Sequence, residues 1–244
     1  MTLFITSSPF DETAETPLFS NANGFVDRLR AALPEYPSVT VIASSPERHD
    51  LTCRYGADDF VALTNAGIYP SRWNVLDGIN AEDAAELVSS SDLLILSGGH
   101  VPTQAAFFQD IALDVLLQDY PGAIIGISAG SMNMAQTVYA QPEEPGEAVD
   151  PDYARFFPGL DLTEVSVLPH YQKVKDDLVD GLRLFEDITL PDSQGRCFFA
   201  IPDGSYFYQN DSCLLLCGES YLARDGVLSP LTCEGEILNM ENFE

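Results

Sequence analysis

Two uninterrupted apolar runs, Asp92-Leu-Leu-Ile-Leu96 and Ala123-Ile-Ile-Gly-Ile127, each end directly in a glycine-bearing turn. A half-exposed strand alternates apolar and polar side chains, whereas a strand covered on both faces reads as a continuous apolar segment. A sheet that buries such strands needs a helical layer on each side, which is the arrangement of a parallel α/β sheet. The neighbouring sequence fits. Leu3–Thr6, Val39–Ala43 and Asn74–Leu76 read as further strands. Phe25–Leu33, the stretch around Cys53–Leu63, Ala81–Val88 with Asn80 as its N-cap, and Thr103–Leu117 with a break near Asp110 read as helices. The βαβαβ rhythm predicts an α/β fold: a three-layer α/β/α sandwich with a mostly parallel central sheet.

Past Met134 the pattern loosens. Gln141–Asp150 carries four acidic residues and two prolines and is expected as an exposed loop. Val165–Leu168 is expected as a strand and Tyr171–Phe185 as a helix. Cys197–Ile201, Ser205–Tyr208 and Cys213–Leu216 are closely spaced strands, with Pro202-Asp203-Gly204 and Gln209-Asn210-Asp211 as turns between them. With 45% hydrophobic residues in a chain of 244, one large core is affordable, and no repeat or linker interrupts it, so residues 1–244 are expected as a single domain.

Thirty-eight acidic residues against 11 basic ones give a formal net charge of -27, which repels phosphate backbones and anionic lipid. Nucleic acid and membrane are therefore excluded as main partners. No apolar stretch approaches the length of a membrane span, and the N-terminal MTLFITSSPF has no positive residue of the kind a secretory signal carries. The five cysteines, an odd number without a CxxC pair, read as reduced and mostly buried thiols, with Cys213 and Cys217 on one face of a strand. The expected setting is the cytoplasm. Three histidines, none at ligand spacing from a cysteine, argue against zinc, and His49 in its polar stretch reads as merely exposed. No cofactor is implied. A homodimer is allowed by the sequence without being indicated.

Chemistry concentrates at three strand ends. Gly126-Ile127-Ser128-Ala129-Gly130 follows a buried strand and opens a helix-like segment, the context of a nucleophile elbow in which small residues permit a sharp turn that projects the serine hydroxyl. Read blandly, the same serine only caps a helix. Ser97-Gly98-Gly99-His100 follows the other buried strand, and the Gly99 and Ala129 amides are candidates for an oxyanion hole. Leu168-Pro169-His170-Tyr171 places a histidine at a third strand end, where it could take the Ser128 proton through one ring nitrogen while a carboxylate holds the other.

GISAGS, LSGGH and LPHY, in this order and spacing, resemble peptidase family S51, which includes aspartyl dipeptidase and cyanophycinase and has a fold similar to class I glutamine amidotransferases. The resemblance runs from ITSSP to the PDG turn. It implies a Ser–His hydrolase acting on peptide bonds next to aspartate, with Ser128 as nucleophile and His170 as base. His100 departs from the asparagine that family members often carry after the double glycine, though it could still donate a hydrogen bond to substrate. The third member of the triad is Glu143 or Glu144 in the acidic loop, or Asp203 in the PDG turn. Asp203 is favoured because a tight turn holds a carboxylate more rigidly. Gln104 and Tyr171, beside the motifs, are candidates to line the pocket. An aspartyl specificity would need a cation, and Arg72, Lys173, Lys175 and Arg196 lie in suitable regions without any one standing out.

The sequence therefore points to a small peptide as substrate and to acyl transfer through Ser128. A catalytically inactive amidotransferase-like binding protein, or an esterase or amidase using the same Ser–His pair, are the competing readings.

Overall fold

A computed structural model describes residues 1–241 and 243. The strands and helices that carry the architecture alternate through the first half of the chain: β1 (Thr2–Thr6), α1 (Phe25–Ala32), β2 (Ser38–Ile42), α2 (His49–Asn65), β3 (Arg72–Leu76), α3 (Ala84–Ser89), β4 (Leu93–Leu96), α4 (Val101–Asp110), α5 (Leu113–Leu116), β5 (Ala123–Ile127) and α6 (Ala129–Asn133). Strands then dominate: β6 (Thr137–Tyr139), β7 (Phe156–Pro158), β8 (Val167–Leu168), the single turn α7 (Tyr171–Val174), β9 (Leu178–Val179), β10 (Leu182–Arg183), α8 (Leu190–Asp192), β11 (Cys197–Ala200), β12 (Tyr206–Asn210), β13 (Cys213–Cys217), β14 (Ser220–Arg224), β15 (Val227–Thr232) and β16 (Ile237–Asn239).

The central sheet has the order β16-β13-β12-β1-β5-β4-β2-β3. Strands β1 to β5 run parallel, and β12, β13 and β16 add an antiparallel flank beyond β1. Period-two geometry sorts even the continuous apolar runs onto two faces. Leu94, Leu96 and Ile124 pack with Phe107, Phe108 and Met132, on α4 and α6. Leu93, Ile95 and Ile125 pack with Phe25, Leu29, Ala62 and Leu63, on α1 and α2. Each of these buried Leu, Ile, Phe and Met side chains contributes roughly 1.5–3 kcal/mol. A mostly parallel sheet between two helical layers is the three-layer architecture expected. None of the helices among the described residues is long and apolar enough to cross a membrane.

Elsewhere the structure corrects the sequence-based expectations. Residues 171–185 are not one helix: after α7 the chain makes the β9–β10 hairpin and then a π-helical segment, Leu184–Thr189. Asp180 and Gly181 form its two-residue turn with φ of 52° and 83°, the left-handed pair that matches strand twist in a tight hairpin. Asn80 does not cap a helix. Its amide oxygen accepts from Asp77 N and its NH₂ donates to Val75 O, and a 3₁₀ turn, Ala81–Asp83, precedes α3. His49 is exposed as expected, but it is not without a partner: its Nδ1 lies 2.6 Å from a buried Asp77 carboxylate. All five cysteines are free, but only Cys217 is buried, while Cys197 and Cys233 are exposed at strand or turn margins.

A second sheet, β15-β14-β11-β8, pairs β8 parallel to β11 with Leu168 opposite Ala200. That register decides where the functional groups meet.

Candidate active site

Three neighbouring strands of the central sheet, β1, β5 and β4, end side by side, as open α/β sheets require of a site at their carboxyl edge. Ser7, Ser128 and Ser97 are the first residues beyond them. The turn after β5 is the sharpest. Ser128 has φ 51° and ψ -111°, a conformation costly for any residue with a Cβ. It is held there by its own amide, which donates to Ser7 O at 2.9 Å, and by the amides of Ser131 and Met132, which donate to its carbonyl. The glycines around it are steric necessities. A Cβ on Gly126 would lie 2.7 Å from both N and Cα of Ser131, and one on Gly130 would overlap the Leu96 carbonyl. Because the clash at Gly126 is with backbone, Gly126→Ala is expected to cost about 1–3 kcal/mol. For a chain of this size that lowers Tm by roughly 3–10 °C in calorimetry. An unchanged Tm would mean the elbow is not as tightly packed as described.

His170 arrives from the second sheet. In the parallel β8–β11 register, the chain leaves Leu168 and Ala200 side by side, and His170 and Asp203 follow two and three residues later. His170 Nδ1 lies 2.7 Å from Asp203 Oδ1. The histidine backbone is left-handed, with φ 58°, and its amide donates to Ser7 Oγ at 2.7 Å. Ser7 Oγ in turn donates to Asp203 Oδ1 at 2.6 Å, so one buried hydroxyl ties the histidine backbone to the carboxylate. Gln172 Nε2 and Lys173 Nζ bond Asp203 Oδ2 at 2.6 and 2.9 Å, and Lys173 also pairs with Glu12. Burial pulls the Asp203 pKa upward, but the hydrogen bonds from His170 and Ser7 and the adjacent positive charge outweigh it and hold the carboxyl well below its ordinary value.

Ser128 and His170 line the same cleft, of about 450 Å³, together with Ser97, Gly98, Gly99, Ile127 and residues of the β1–α1 loop and α2. No hydrogen bond joins Ser128 Oγ to the imidazole among the described residues. Gly99 lines this cleft, while Ala129 opens α6, where the first amides have no carbonyl within the helix.

The other expected site residues are placed differently. Among the described residues neither Glu143 nor Glu144 hydrogen-bonds His170; their backbone amides donate to Glu147 Oε2. Glu143 is not part of the cleft lining, though His100 and His170 are near enough for each to pull its pKa downward. Crowding by protein, with Glu147 nearby, still pushes its carboxyl up to about 7. His100 Nε2 lies 2.8 Å from Glu147 Oε1 and its Nδ1 2.7 Å from Thr103 Oγ1, so it pins the acidic loop over the double-glycine turn. Gln104 does not line the cleft. It is fully buried, donates to Ser97 O and accepts from Asn133, a strut between α4, α6 and the β4 turn. Tyr171 packs its ring on Phe185 and Tyr221 at 5.2 and 4.4 Å, outside the cleft lining. No Lys or Arg lines the cleft among the described residues; Arg196 stacks on Phe156.

Ser7, Gln172 and Glu147 were not singled out from the sequence. Ser7 lies within the ITSSP strand end and had the same signal as Ser128, a small polar residue just past a buried strand.

The model of Peptidase family S51 matches residues 73–208. A crystal structure of a peptidase from an acI-B1 Actinobacterium is similar with a TM-score of 0.64 at 16% identity, covering 98% of this chain and 96% of that one. A candidate peptidase E from Listeria monocytogenes EGD-e is similar with a TM-score of 0.60 at 15% identity, covering 95% and 98%. At these identities the likeness is one of fold. No curated protein matches the sequence.

Proposed function

The chain belongs to peptidase family S51 and is a peptidase, and from that premise we propose that it cleaves small peptides by acyl transfer to Ser128. One observation carries the reading: a serine strained at a strand-to-helix elbow and a histidine held by a carboxylate face one cleft. His170 Nε2 takes the Ser128 Oγ proton as Oγ attacks the scissile carbonyl carbon. The Gly99 and Ala129 amides are the donors proposed for the oxyanion. His170 then gives the proton to the leaving amine and the C–N bond breaks. Water, losing a proton to the same imidazole, adds to the acyl carbon; the bond to Ser128 Oγ then breaks, the imidazolium returns its proton to that oxygen, and the acid leaves.

Asp203 is the acid of this triad, supported by its direct bond to Nδ1, which neither Glu143 nor Glu144 makes. Its role is to fix the imidazole tautomer and to stabilise the imidazolium. Ser7 is a positioning residue for both partners. A reducing compartment, the cytoplasm, fits five free thiols of which two are exposed. The aspartyl preference that the family resemblance implies would need a cation in the cleft, and the lining supplies acidic residues instead.

The test is hydrolysis of a set of di- and tripeptides followed by mass spectrometry. Cleavage that stops after stoichiometric treatment with diisopropyl fluorophosphate is the expected result. Cleavage indifferent to that reagent would contradict the serine mechanism, and a folded protein that cleaves nothing would favour the binding-protein reading.

A further inference from the structure

One wall of the cleft is built by α2, which turns Tyr55, Asp58 and Asp59 toward it, positions i, i+3 and i+4 of one helical face. Asp59 differs from the other two. It shares the sheet-facing stripe of α2 with Thr52, Gly56 and Leu63, all buried, and is itself only 3% exposed. No hydrogen bond or ion pair meets its carboxyl among the described residues. Burial, with Asp58 alongside, pushes that carboxyl up to about 8, as befits a group without a partner. Buried carboxyls in folded proteins are ordinarily paired or hydrogen-bonded. A helix stripe that otherwise packs on the sheet would be served better by an apolar residue there, so an unpaired acid reaching the cleft suits a partner that arrives from solution.

Resting on the peptidase reading of the Ser128 cleft, we propose that Asp59 receives the cationic side chain of a lysine or arginine next to the scissile bond of the substrate. Phe10, Pro17 and Tyr55 supply apolar lining for the methylene stem of such a side chain, while the exposed Asp58 adds negative charge beside it. Arg54, which stacks on the Tyr55 ring, is not among the lining residues, so no cation of the protein occupies the cleft among the described residues. An aspartyl side chain in the same place would face the exposed Asp58 and bring Asp59 no counter-ion, a repulsive element against that substrate. A cation beside Asp59 favours its charged form and satisfies the buried group in one step. The formal net charge of -27 draws cationic peptides toward the protein as a whole.

The experiment measures binding by calorimetry to the Ser128→Ala protein, so that affinity is read without turnover and independently of whether the triad works. Nα-acetyl-argininamide and Nα-acetyl-lysinamide present the side-chain cation alone, alaninamide presents an α-ammonium alone, and Nα-acetyl-aspartic acid amide presents a carboxylate. The two acetylated basic amides should bind at least about 30-fold more tightly than the other two. Adding Asp59→Asn should reduce that preference to less than about 3-fold. The substitution keeps the side-chain volume and removes an unpaired buried acid, so thermal unfolding should show a folded protein with an equal or higher midpoint. Preference for the aspartyl ligand, equal binding of alaninamide, a basic-ligand preference that survives Asp59→Asn, or no binding of any of the four would each overturn the assignment. Loss of peptide cleavage in the wild type with the basic-ligand preference intact would instead count against the Ser–His mechanism.

Discussion

Ser128→Ala is expected to lower kcat for peptide hydrolysis by about 10⁴–10⁶-fold with KM nearly unchanged. The hydroxyl is the atom that forms the acyl-enzyme, and no other side chain in the cleft stands at an elbow from which it could replace it. Ser97, also at a strand end, emerges from β4 without the strained turn. Stability should hardly change, because Ser128 Oγ makes no hydrogen bond to another described residue. Alanine keeps the same strained φ and ψ, since the backbone bonds to Ser7, Ser131 and Met132 that impose them remain. Steady-state kinetics beside a thermal melt checks both halves. A variant that retains more than about a hundredth of wild-type kcat would exclude Ser128 as the nucleophile.

Asp203→Asn should cost about 10⁴-fold in kcat, nearly as much, for a different reason. An amide that donates to His170 Nδ1 leaves the proton on Nε2, and an imidazole protonated there cannot accept the Ser128 proton. The substitution also removes the acceptor for Ser7 Oγ and the counter-charge for Lys173. Its effect on stability has a defined pH dependence. The Asp203 pKa is depressed in the folded protein, so its contribution is fully present above the unfolded value near 4 and is lost as pH falls below it. Chemical denaturation at several pH values should show wild type more stable than Asp203→Asn at neutral pH, with the difference narrowing under acid conditions. A difference that widens on acidification would contradict the depressed pKa. Rescue of neither kcat nor stability is expected from Glu143, whose backbone, not its side chain, is tied into the loop by Glu147.

The parallel core was legible because its strands are short, wholly apolar and bounded by glycine turns, so local pattern and tertiary burial agree. The same features made Ser128, Gly99 and His170 stand out. Elements built from polar strands were not legible. β14, β15 and β16 alternate too weakly to be distinguished from loop, and β15 carries Pro230, which local pattern reads against a strand. The helix expected over 171–185 fails at Asp180-Gly181, a hairpin signal embedded in residues of helical periodicity. The choice among acids depended on the parallel register of β8 and β11, a long-range pairing that places Asp203 rather than Glu143 against His170. Adjacency in sequence puts Gln104 and Tyr171 at the pocket, but helix periodicity turns Gln104 into the core, and Tyr171 packs on Phe185 and Tyr221. Asp59 carried no signal in the chain, because its burial without a partner exists only once α2 has packed on the sheet.

The central claim is that His170 activates Ser128. Its most direct test is mass spectrometric mapping of the protein after brief exposure to a fluorophosphonate, comparing wild type with His170→Ala. A single adduct on the peptide containing Ser128, formed at least about a hundredfold more slowly in His170→Ala, is the predicted result. An adduct on another residue, or labelling of Ser128 at the same rate without the histidine, would contradict it.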